Sequence, residues 1–301
     1  DRIYVVNDFK VDDIFRINNM EVNAAGKGVN VARVAKILDE KVKASGIIGG
    51  RTGNYIEEEM NNIDVESDFL KIKRNTRTCV KVVDNKNHTT TELLESGPEV
   101  SKTEREKFIS HYKESLDNCK VIAACGSLPQ GIPDDFYQQL IKIADNKNIK
   151  FMLDTSGPAL KKGLAEGPFM IKPNQDEIEF LMGEKINKIE KLVKPLINFR
   201  EKGIELPVIT LGDKGCVALI DKKVIHFPAL NLEIKNVVGS GDAFIAGCAV
   251  ALNNQKSLKE IIKSGMACAH ANTQFYKTGM VSRKLVDQYY QKQQVKIIKE
   301  I

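Results

Sequence analysis

The sequence predicts an α/β fold: a doubly wound, mostly parallel sheet with helices on both faces and a small β-sheet lid. Three observations predict it. Strand-like and helix-like segments alternate regularly beyond residue 100, short β-rich runs fill residues 68–95, and glycine-rich turns open several helices. Alternating strands and helices are typical of parallel sheets, which bind ligands beyond the carboxyl ends of their strands.

The first part of the chain contains two predicted strands and the first helix. The strands lie at 1–6 and 16–22, and the helix follows a glycine loop that begins at Asn23. Apolar residues recur in this helix at i, i+3, i+4 and i+7, which gives it one apolar face: Val31, Val34, Ala35 and Leu38.

The next segments predict a strand at 42–48, a helix at 54–61 and then a small sheet. The two early strands could join this sheet, whose own strands are three β-rich runs between polar turns: 69–72, 78–83 and 89–94.

The remainder of the chain alternates between helices and strands. Helices are expected at 102–117, from Pro133, at 187–202 and after Asp242. Strands are expected at 121–124, 150–153, 169–171, 208–211, 216–220 and 224–228. We therefore predict an α/β core at 23–66 and 99–301, with a β-sheet lid at 1–22 and 67–98.

Composition limits the classes of function. The 301 residues include 45 basic and 40 acidic side chains, a net charge of only +5. No basic run indicates a nucleic-acid or membrane partner. The six cysteines show no C-x-x-C spacing, which favours reduced, buried thiols of a cytoplasmic protein. No signal peptide is visible, and the longest apolar segment is too short to span a bilayer.

Residues 236–252 contain the motif on which the functional prediction is centred. Gly239 and Gly241 flank Ser240, and Asp242 opens an apolar helix. Glycines and a helix start together form a nest of N–H donors for an anion, most often a phosphate. A carboxylate beside such a nest is suited to removing a proton from an attacking hydroxyl. The structural alternative is a tight turn with an ordinary first-turn acid.

Two further patterns have both a functional and a structural interpretation. Lys27 lies between two glycines at a helix start, where it could meet an anion or simply be solvated. Asn174 and Glu177 follow a strand and open a helix. They could hold metal-bound water near nucleotide phosphates, but Asn-x-x-Glu is also a capping box.

Three motifs together resemble the PfkB, or ribokinase-like, carbohydrate kinases over essentially the whole chain: Ala24-Ala-Gly-Lys-Gly-Val-Asn30, Lys172-Pro-Asn-x-x-Glu177 and Val238-Gly-Ser-Gly-Asp-Ala-Phe-Ile-Ala-Gly247. Shorter motifs resemble the tagatose-6-phosphate kinases of this family, with the 1-phosphofructokinases next: Thr76-Arg-Thr-Cys79, Thr91-Glu-Leu-Leu-Glu-Ser-Gly-Pro98, Gly126-Ser-Leu-Pro129, Leu153-Asp-Thr-Ser-Gly157 and Lys277-Thr-Gly279.

The resemblance implies ATP and Mg²⁺ and a set of catalytic and nucleotide-binding residues. Asp242 would be the base, and the N–H groups of Gly239, Ser240 and Gly241 the anion hole. The nucleotide would be bound by Asn174, Thr210, Gly212 and Gly215. Glu177 would hold the magnesium ion through water.

The resemblance also implies the sugar site. Sugar hydroxyls would be held by Asp1, Gly26, Gly28 and Asn30, with Glu92 as a further candidate. The phosphate already on the substrate would be bound by Lys27, Arg77 and Ser127. A planar guanidinium with an ammonium suits a phosphate, although Arg77 and Glu92 could equally be exposed strand charges.

The chain departs from the family pattern twice. Ala25 stands where the family usually has glycine, which adds a methyl group to the sugar loop. The family also has a strand ending in Asn-Pro-x-x-Asp at its start, so the resemblance implies that Asp1 corresponds to that aspartate and that the strand is not in this sequence.

The predicted reaction is ATP-dependent phosphorylation of a ketohexose monophosphate, from tagatose 6-phosphate to the 1,6-bisphosphate. A second candidate is fructose 1-phosphate with transfer to C6, and a third is a non-catalytic sensor of sugar phosphate or nucleotide on the same fold. An NAD-binding site is disfavoured because Gly26 and Gly28 lack the third glycine of that fingerprint. A homodimer through the lid is a further hypothesis, since open sheet edges invite pairing.

Overall fold

The computed structural model describes residues 1–301, apart from the side chain of Asn19. The strands are β1 (Arg2–Val6), β2 (Asn19–Val22), β3 (Lys43–Gly49), β4 (Glu66–Ile72), β5 (Cys79–Asp84), β6 (Thr89–Leu94), β7 (Val121–Cys125), β8 (Lys150–Asp154), β9 (Met170–Ile171), β10 (Leu206–Thr210), β11 (Cys216–Ile220), β12 (Lys223–Phe227) and β13 (Lys296–Glu300). The helices are α1 (Lys27–Ile37), α2 (Gly50–Asn61), α3 (Lys102–Ser115), α4 (Phe136–Asp145), α5 (Gly157–Gly163), α6 (Gln175–Met182), α7 (Val193–Glu201), α8 (Ser240–Asn253), α9 (Leu258–Asn272) and α10 (Arg283–Lys292).

The largest sheet has seven strands in the order β13-β12-β11-β10-β9-β8-β7. Strands β7 to β10 are parallel, and β11 to β13 continue the sheet antiparallel. Neighbouring residues of β8 face two separate cores: Met152 packs in the core with α1, α8 and α9, whereas Leu153 packs in the core with α4 to α7. The predicted α/β class, with helices on both faces, is confirmed.

Strands β3 and β4 form a separate parallel pair, joined by α2. The run at 69–72 was expected in the small sheet, and this expectation is wrong. The run belongs to β4, whose whole length pairs with β3 from Lys43 opposite Glu66 to Gly49 opposite Ile72. A strand, a helix and a parallel strand form a βαβ unit, which takes β4 away from the small sheet.

The small sheet has four strands in the order β2-β1-β5-β6. Both early strands join it, as expected: β1 is parallel to β5, and β2 is antiparallel to β1. The two sheet ends, β2 and β6, have one unpaired edge each within the described chain. The division of the chain into a core and a lid stays a prediction.

The two faces of the small sheet differ in character. Lys81 lies opposite Glu92 in the register, so their side chains share one face. The other face carries the exposed apolar side chains of Met20, Val22 and Leu93. The first face therefore carries the Lys81–Glu92 pair together with the exposed Leu94, and the second face carries three exposed apolar side chains.

The cysteines and the lengths of the helices bear on two of the predictions made from composition. All six cysteines are free thiols, as the composition predicts, and four are buried, whereas Cys119 and Cys125 are only partly buried. Across the described chain, none of the helices combines the length and the apolar character needed to cross a membrane.

Candidate active site

The glycine turn before α8 has a conformation that only a narrow set of residues can adopt. Gly239 has φ +82°, and a Cβ there would lie 2.5 Å from Cγ2 of Thr278, so glycine is required on two grounds. Ser240 and Gly241 lie in the first turn of α8, where backbone N–H groups lack intrahelical acceptors. The Ser240 N–H, however, donates to the Val237 carbonyl at 3.2 Å. Of the three predicted anion-hole donors, this one already has a partner.

Asp242 is buried in the first turn of α8, with 7% of the residue exposed. Its Oδ2 atom accepts a 2.8 Å hydrogen bond from Nδ2 of Asn30 on α1. The helix dipole and this donor favour the ionised carboxylate, while burial disfavours it.

Burial is the stronger effect on this carboxyl group. It raises the pKa of Asp242 from 3.8 to about 6, with a further contribution from the nearby Asp154 carboxylate. The Asn30 hydrogen bond and the ammonium groups of Lys27 and Lys172 oppose the rise in pKa. A carboxyl group with this pKa is ionised at neutral pH yet close enough to it to accept a proton, as a general base should.

A cluster of charged groups around the buried Asp154 carboxylate lies beside Asp242. Asp154, at the end of β8, accepts a hydrogen bond from Nζ of Lys27 at 3.2 Å. Nζ of Lys172 lies 3.2 Å from the other Asp154 oxygen, in an ion pair whose geometry is not that of a hydrogen bond. Burial alone would lower the pKa of Lys27, but the Asp154, Asp242 and Glu177 carboxylates outweigh it and raise that pKa. Two cations therefore share one buried carboxylate next to the nest.

The Asn174–Glu177 pair forms the capping box that its spacing predicts. The Glu177 N–H donates to Oδ1 of Asn174, and the Asn174 N–H donates to Oε2 of Glu177, each at 2.8 Å. Thr210 pairs with Asn174 in an isolated bridge, and its N–H donates to the Pro173 carbonyl at 3.0 Å. The structural interpretation is confirmed, and the nucleotide role stays a prediction.

Gly212 and Gly215 bound the short turn between β10 and β11. Both have positive φ, +59° and +88°. A Cβ at Gly215 would lie 2.0 Å from the Phe227 carbonyl oxygen, so the turn needs glycine there for the fold itself.

The predicted substrate residues Asp1 and Glu92 both contact Lys81, a residue that the sequence did not indicate. Nζ of Lys81, a buried side chain on β5, lies 3.1 Å from Oδ2 of Asp1 and 3.5 Å from Oε1 of Glu92. The two carboxylates therefore share one ammonium group on the Lys81–Glu92 face of the small sheet.

Asn30 is buried against Asp242, whereas the remaining predicted substrate residues are exposed. Gly26 (φ +125°), Lys27 and Gly28 lie at the start of α1, and neither glycine has a heavy atom within 4 Å of its Cβ position. Ser127 follows β7. Nη1 of Arg77 makes one long bond, 3.4 Å, to the Glu95 carbonyl. Among the contacts of the described side chains, none joins Arg77 to Lys27.

Known proteins resemble this chain in both sequence and fold. A family model described as pfkB family carbohydrate kinase matches residues 1–283. The chain belongs to this family. This pfkB kinase is 33% identical to the tagatose-6-phosphate kinase of Staphylococcus epidermidis ATCC 12228 over 295 residues, which are 97% of this chain and 94% of the relative. The family resemblance of the three motifs is thereby confirmed.

Two solved structures support the fold of this pfkB kinase. Phosphofructokinase-2 from Escherichia coli in complex with fructose-6-phosphate superposes with a TM-score of 0.87 at 22% identity, over 97% of this chain and 94% of that one. The tetrameric inhibited form of the same enzyme gives a TM-score of 0.88 at 22% identity and the same coverage.

Three buried side chains of this pfkB kinase were given no role by sequence reasoning: Lys81, Asp154 and Lys172. Asp154 ends β8 and Lys172 directly follows β9, and the carboxyl ends of such strands are where a parallel sheet presents its ligand-binding residues. That signal was available in the sequence. Lys81 had no such signal, because it is one charged residue within an ordinary strand.

Proposed function

We propose that this carbohydrate kinase transfers the γ-phosphoryl group of ATP to the C1 hydroxyl of tagatose 6-phosphate, giving tagatose 1,6-bisphosphate and ADP. ATP as the donor follows from the family. The observation that carries the proposal is the buried Asp242 beside the glycine nest, with a pKa of about 6. The name of the curated relative supports the choice of sugar.

Asp242 serves as the base in the proposed reaction. As the hydroxyl oxygen forms a bond to the γ-phosphorus, its proton passes to the Asp242 carboxylate, and the bond from the γ-phosphorus to the bridging oxygen breaks to release ADP. The Gly239 and Gly241 N–H groups face the transferring phosphoryl. Catalysis comes mainly from positioning and charge stabilisation.

Magnesium fits this site only as a hydrated ion. Within the described chain, no group of three or more His, Cys, Asp or Glu side chains is arranged to hold a metal ion. One Glu177 oxygen is occupied by its capping box, and Asp154 already faces two ammonium groups. Mg²⁺ keeps several waters and binds phosphates, so Glu177 would hold it through water. Bound there, it would neutralise phosphate charge.

We expect the substrate phosphate to be bound by Arg77 together with Lys27. Replacing Arg77 by Met should raise KM for tagatose 6-phosphate about tenfold to a hundredfold, because a charge-assisted hydrogen bond contributes about 1.5–3 kcal/mol. KM for MgATP should stay nearly constant. Initial rates of ADP release measure both constants.

The matched control is Arg74→Met, which removes an exposed arginine that pairs with Glu104. The wild-type enzyme is assayed with tagatose 6-phosphate, fructose 1-phosphate, fructose 6-phosphate and free fructose. Preference for fructose 1-phosphate would keep the mechanism and move the transfer to C6. Activity on free fructose alone would overturn the phosphate site, and ATP binding without transfer to any sugar would indicate a sensor.

We also propose that a second copy of this chain covers the apolar face of the small sheet. Met20, Val22 and Leu93 are exposed there, and Leu93 alone exposes 61% of its surface. A large exposed apolar patch indicates an interface, and the sheet edges at β2 and β6 add hydrogen-bonding groups.

Replacing Leu93 by Glu should dissociate this dimer, because the carboxylate would be buried without a partner. Sedimentation velocity measures the change in mass. The control is Ile297→Lys, at an equally exposed apolar residue on β13 in the seven-stranded sheet. A monomeric wild-type protein, or a dimer that survives Leu93→Glu, would contradict the proposal.

A further inference from the structure

Arg33 is a buried charge without a carboxylate partner. It lies on α1 with 6% of the residue exposed, and no acidic group forms an ion pair with it among the described side chains. Its guanidinium instead donates to three oxygens: the Ala24 carbonyl at 2.6 Å, Oδ1 of Asn30 at 3.2 Å and the Thr278 carbonyl at 3.3 Å. Burying a guanidinium is costly, and these three hydrogen bonds to neutral oxygens offset part of that cost.

The contact with Asn30 fixes which way its amide points. Because the Arg33 N–H donates to Oδ1, the Asn30 NH₂ group must face the Asp242 carboxylate, which accepts from it at 2.8 Å. The opposite orientation would set two donors against each other at Arg33 and two acceptors against each other at Asp242. Arg33 therefore determines that the base has a donor rather than an acceptor as its neighbour.

The contact with Thr278 holds the segment that supports the nest. Cγ2 of Thr278 would be 2.5 Å from a Cβ at Gly239, and the Cβ position of Gly279 is 2.9 Å from Cβ of Asn30. The Gly279 N–H donates to Oδ1 of Asn272, whose Nδ2 donates to the Val238 carbonyl. Thr278 and Gly279 are thus fixed between α1 and the glycine turn.

We propose that Arg33 is a positioning residue for phosphoryl transfer, acting on Asp242 through Asn30 and on the glycine turn through Thr278. It does not touch substrate. The inference rests on the proposed role of Asp242 as the base, and it adds that this base depends on a cation two contacts away.

The first test is the pH profile of kcat/KM in Arg33→Met. The variant should lower kcat about tenfold to a hundredfold and move the acid limb to higher pH, because an unoriented Asn30 no longer stabilises the carboxylate. KM for MgATP should change by less than about twofold. Several other charged and titratable groups are present and remain unchanged in the variant: Asp154 on β8, Lys27 on α1, Lys172 after β9 and Cys125 on β7 near Asp242, with Glu59 and Tyr55 on α2 near Arg33.

A double-mutant cycle separates positioning from general damage. Because Arg33 acts on Asp242 through Asn30, the loss of kcat caused by Arg33→Met should be smaller in an Asn30→Ala background, and the loss that remains measures the route through Thr278. Arg33→Lys keeps the buried charge and reaches fewer oxygens, so it should fold and still move the acid limb. The control is Arg200→Met, which also removes a partly buried arginine that donates to a carbonyl, here that of Leu219.

A measurement without turnover distinguishes this inference from the proposed reaction. The pH-dependent difference in unfolding free energy between each protein and its Asp242→Asn derivative reports the pKa of Asp242. In Arg33→Met this difference should extend to higher pH. An unchanged titration, together with additive effects of Arg33→Met and Asn30→Ala, would overturn the inference. A wild-type protein inactive on every sugar would instead overturn the proposed function.

Discussion

Replacing Asp242 by Asn should lower kcat by about 10²–10⁴-fold, the contribution of a positioned general base. The amide is similar in size, and its oxygen can still accept the Asn30 hydrogen bond, so the geometry should persist. KM for MgATP should change little, because none of the residues proposed to bind the nucleotide is altered. The measurement is steady-state ADP release with tagatose 6-phosphate.

The same variant should be more stable than the wild-type enzyme above about pH 6. Below pH 3.8 the carboxyl is protonated in both the folded and the unfolded state. Between 3.8 and about 6 the folded state keeps a proton that the unfolded state loses, so the unfolding free energy of the wild type falls as pH rises. A rise in pKa of about two units lowers the unfolding free energy of the wild type by at most about 3 kcal/mol. Asp242→Asn should regain this unfolding free energy.

Chemical denaturation at pH 4 and pH 8 checks this sign. The matched control is Asp221→Asn, at an exposed turn residue with φ +52°, a conformation that asparagine also tolerates. If Asp242→Asn kept near-full turnover, the assignment of the base would be wrong. If variant and wild type were equally stable at pH 8, burial of the ionised Asp242 carboxylate would not destabilise the folded state.

Local patterns predicted much of this molecule, and long-range contacts account for the rest. The apolar spacing of Val31, Val34 and Ala35 predicted α1, and the Asn-x-x-Glu spacing predicted a capping box whose two hydrogen bonds both form. Each of these signals lies within a few residues of chain, where periodicity and cap chemistry operate.

The pairing of β4 and the role of Arg33 had no local signal. The run at 69–72 has strand character wherever it pairs, and only its connection through α2 assigns it to β3. Arg33 looks like a polar residue on an amphipathic helix, yet its acceptors include a carbonyl 245 residues away. Likewise, the motifs predicted that Asn30 lies near the sugar. They did not predict the hydrogen bond that Asn30 donates to Asp242, which only the folded structure shows.

Replacing Gly247 by Ala should destabilise the fold more than any other small-to-small change at the α8–α9 contact. A Cβ at Gly247 would lie 2.5 Å from the Ser264 carbonyl oxygen and 2.6 Å from Sγ of Cys268. The Ser264 oxygen belongs to a helix backbone and cannot move aside, so α8 and α9 must separate. Overpacking costs typically about 1–3 kcal/mol, and we expect the upper end of that range.

The damage should also reach the glycine turn, because α9 ends in Asn272, which holds the Val238 carbonyl and Ser240. Thermal unfolding should show a Tm several degrees lower, and kcat should fall in the fraction that remains folded. Gly46→Ala is the matched control, since a Cβ there meets only the Phe69 ring, at 3.8 Å. Equal melting temperatures of the two variants would show that the close approach of α8 and α9 does not fix the glycine turn. A loss of stability in Gly247→Ala alone would link the nest to helix packing about two turns away.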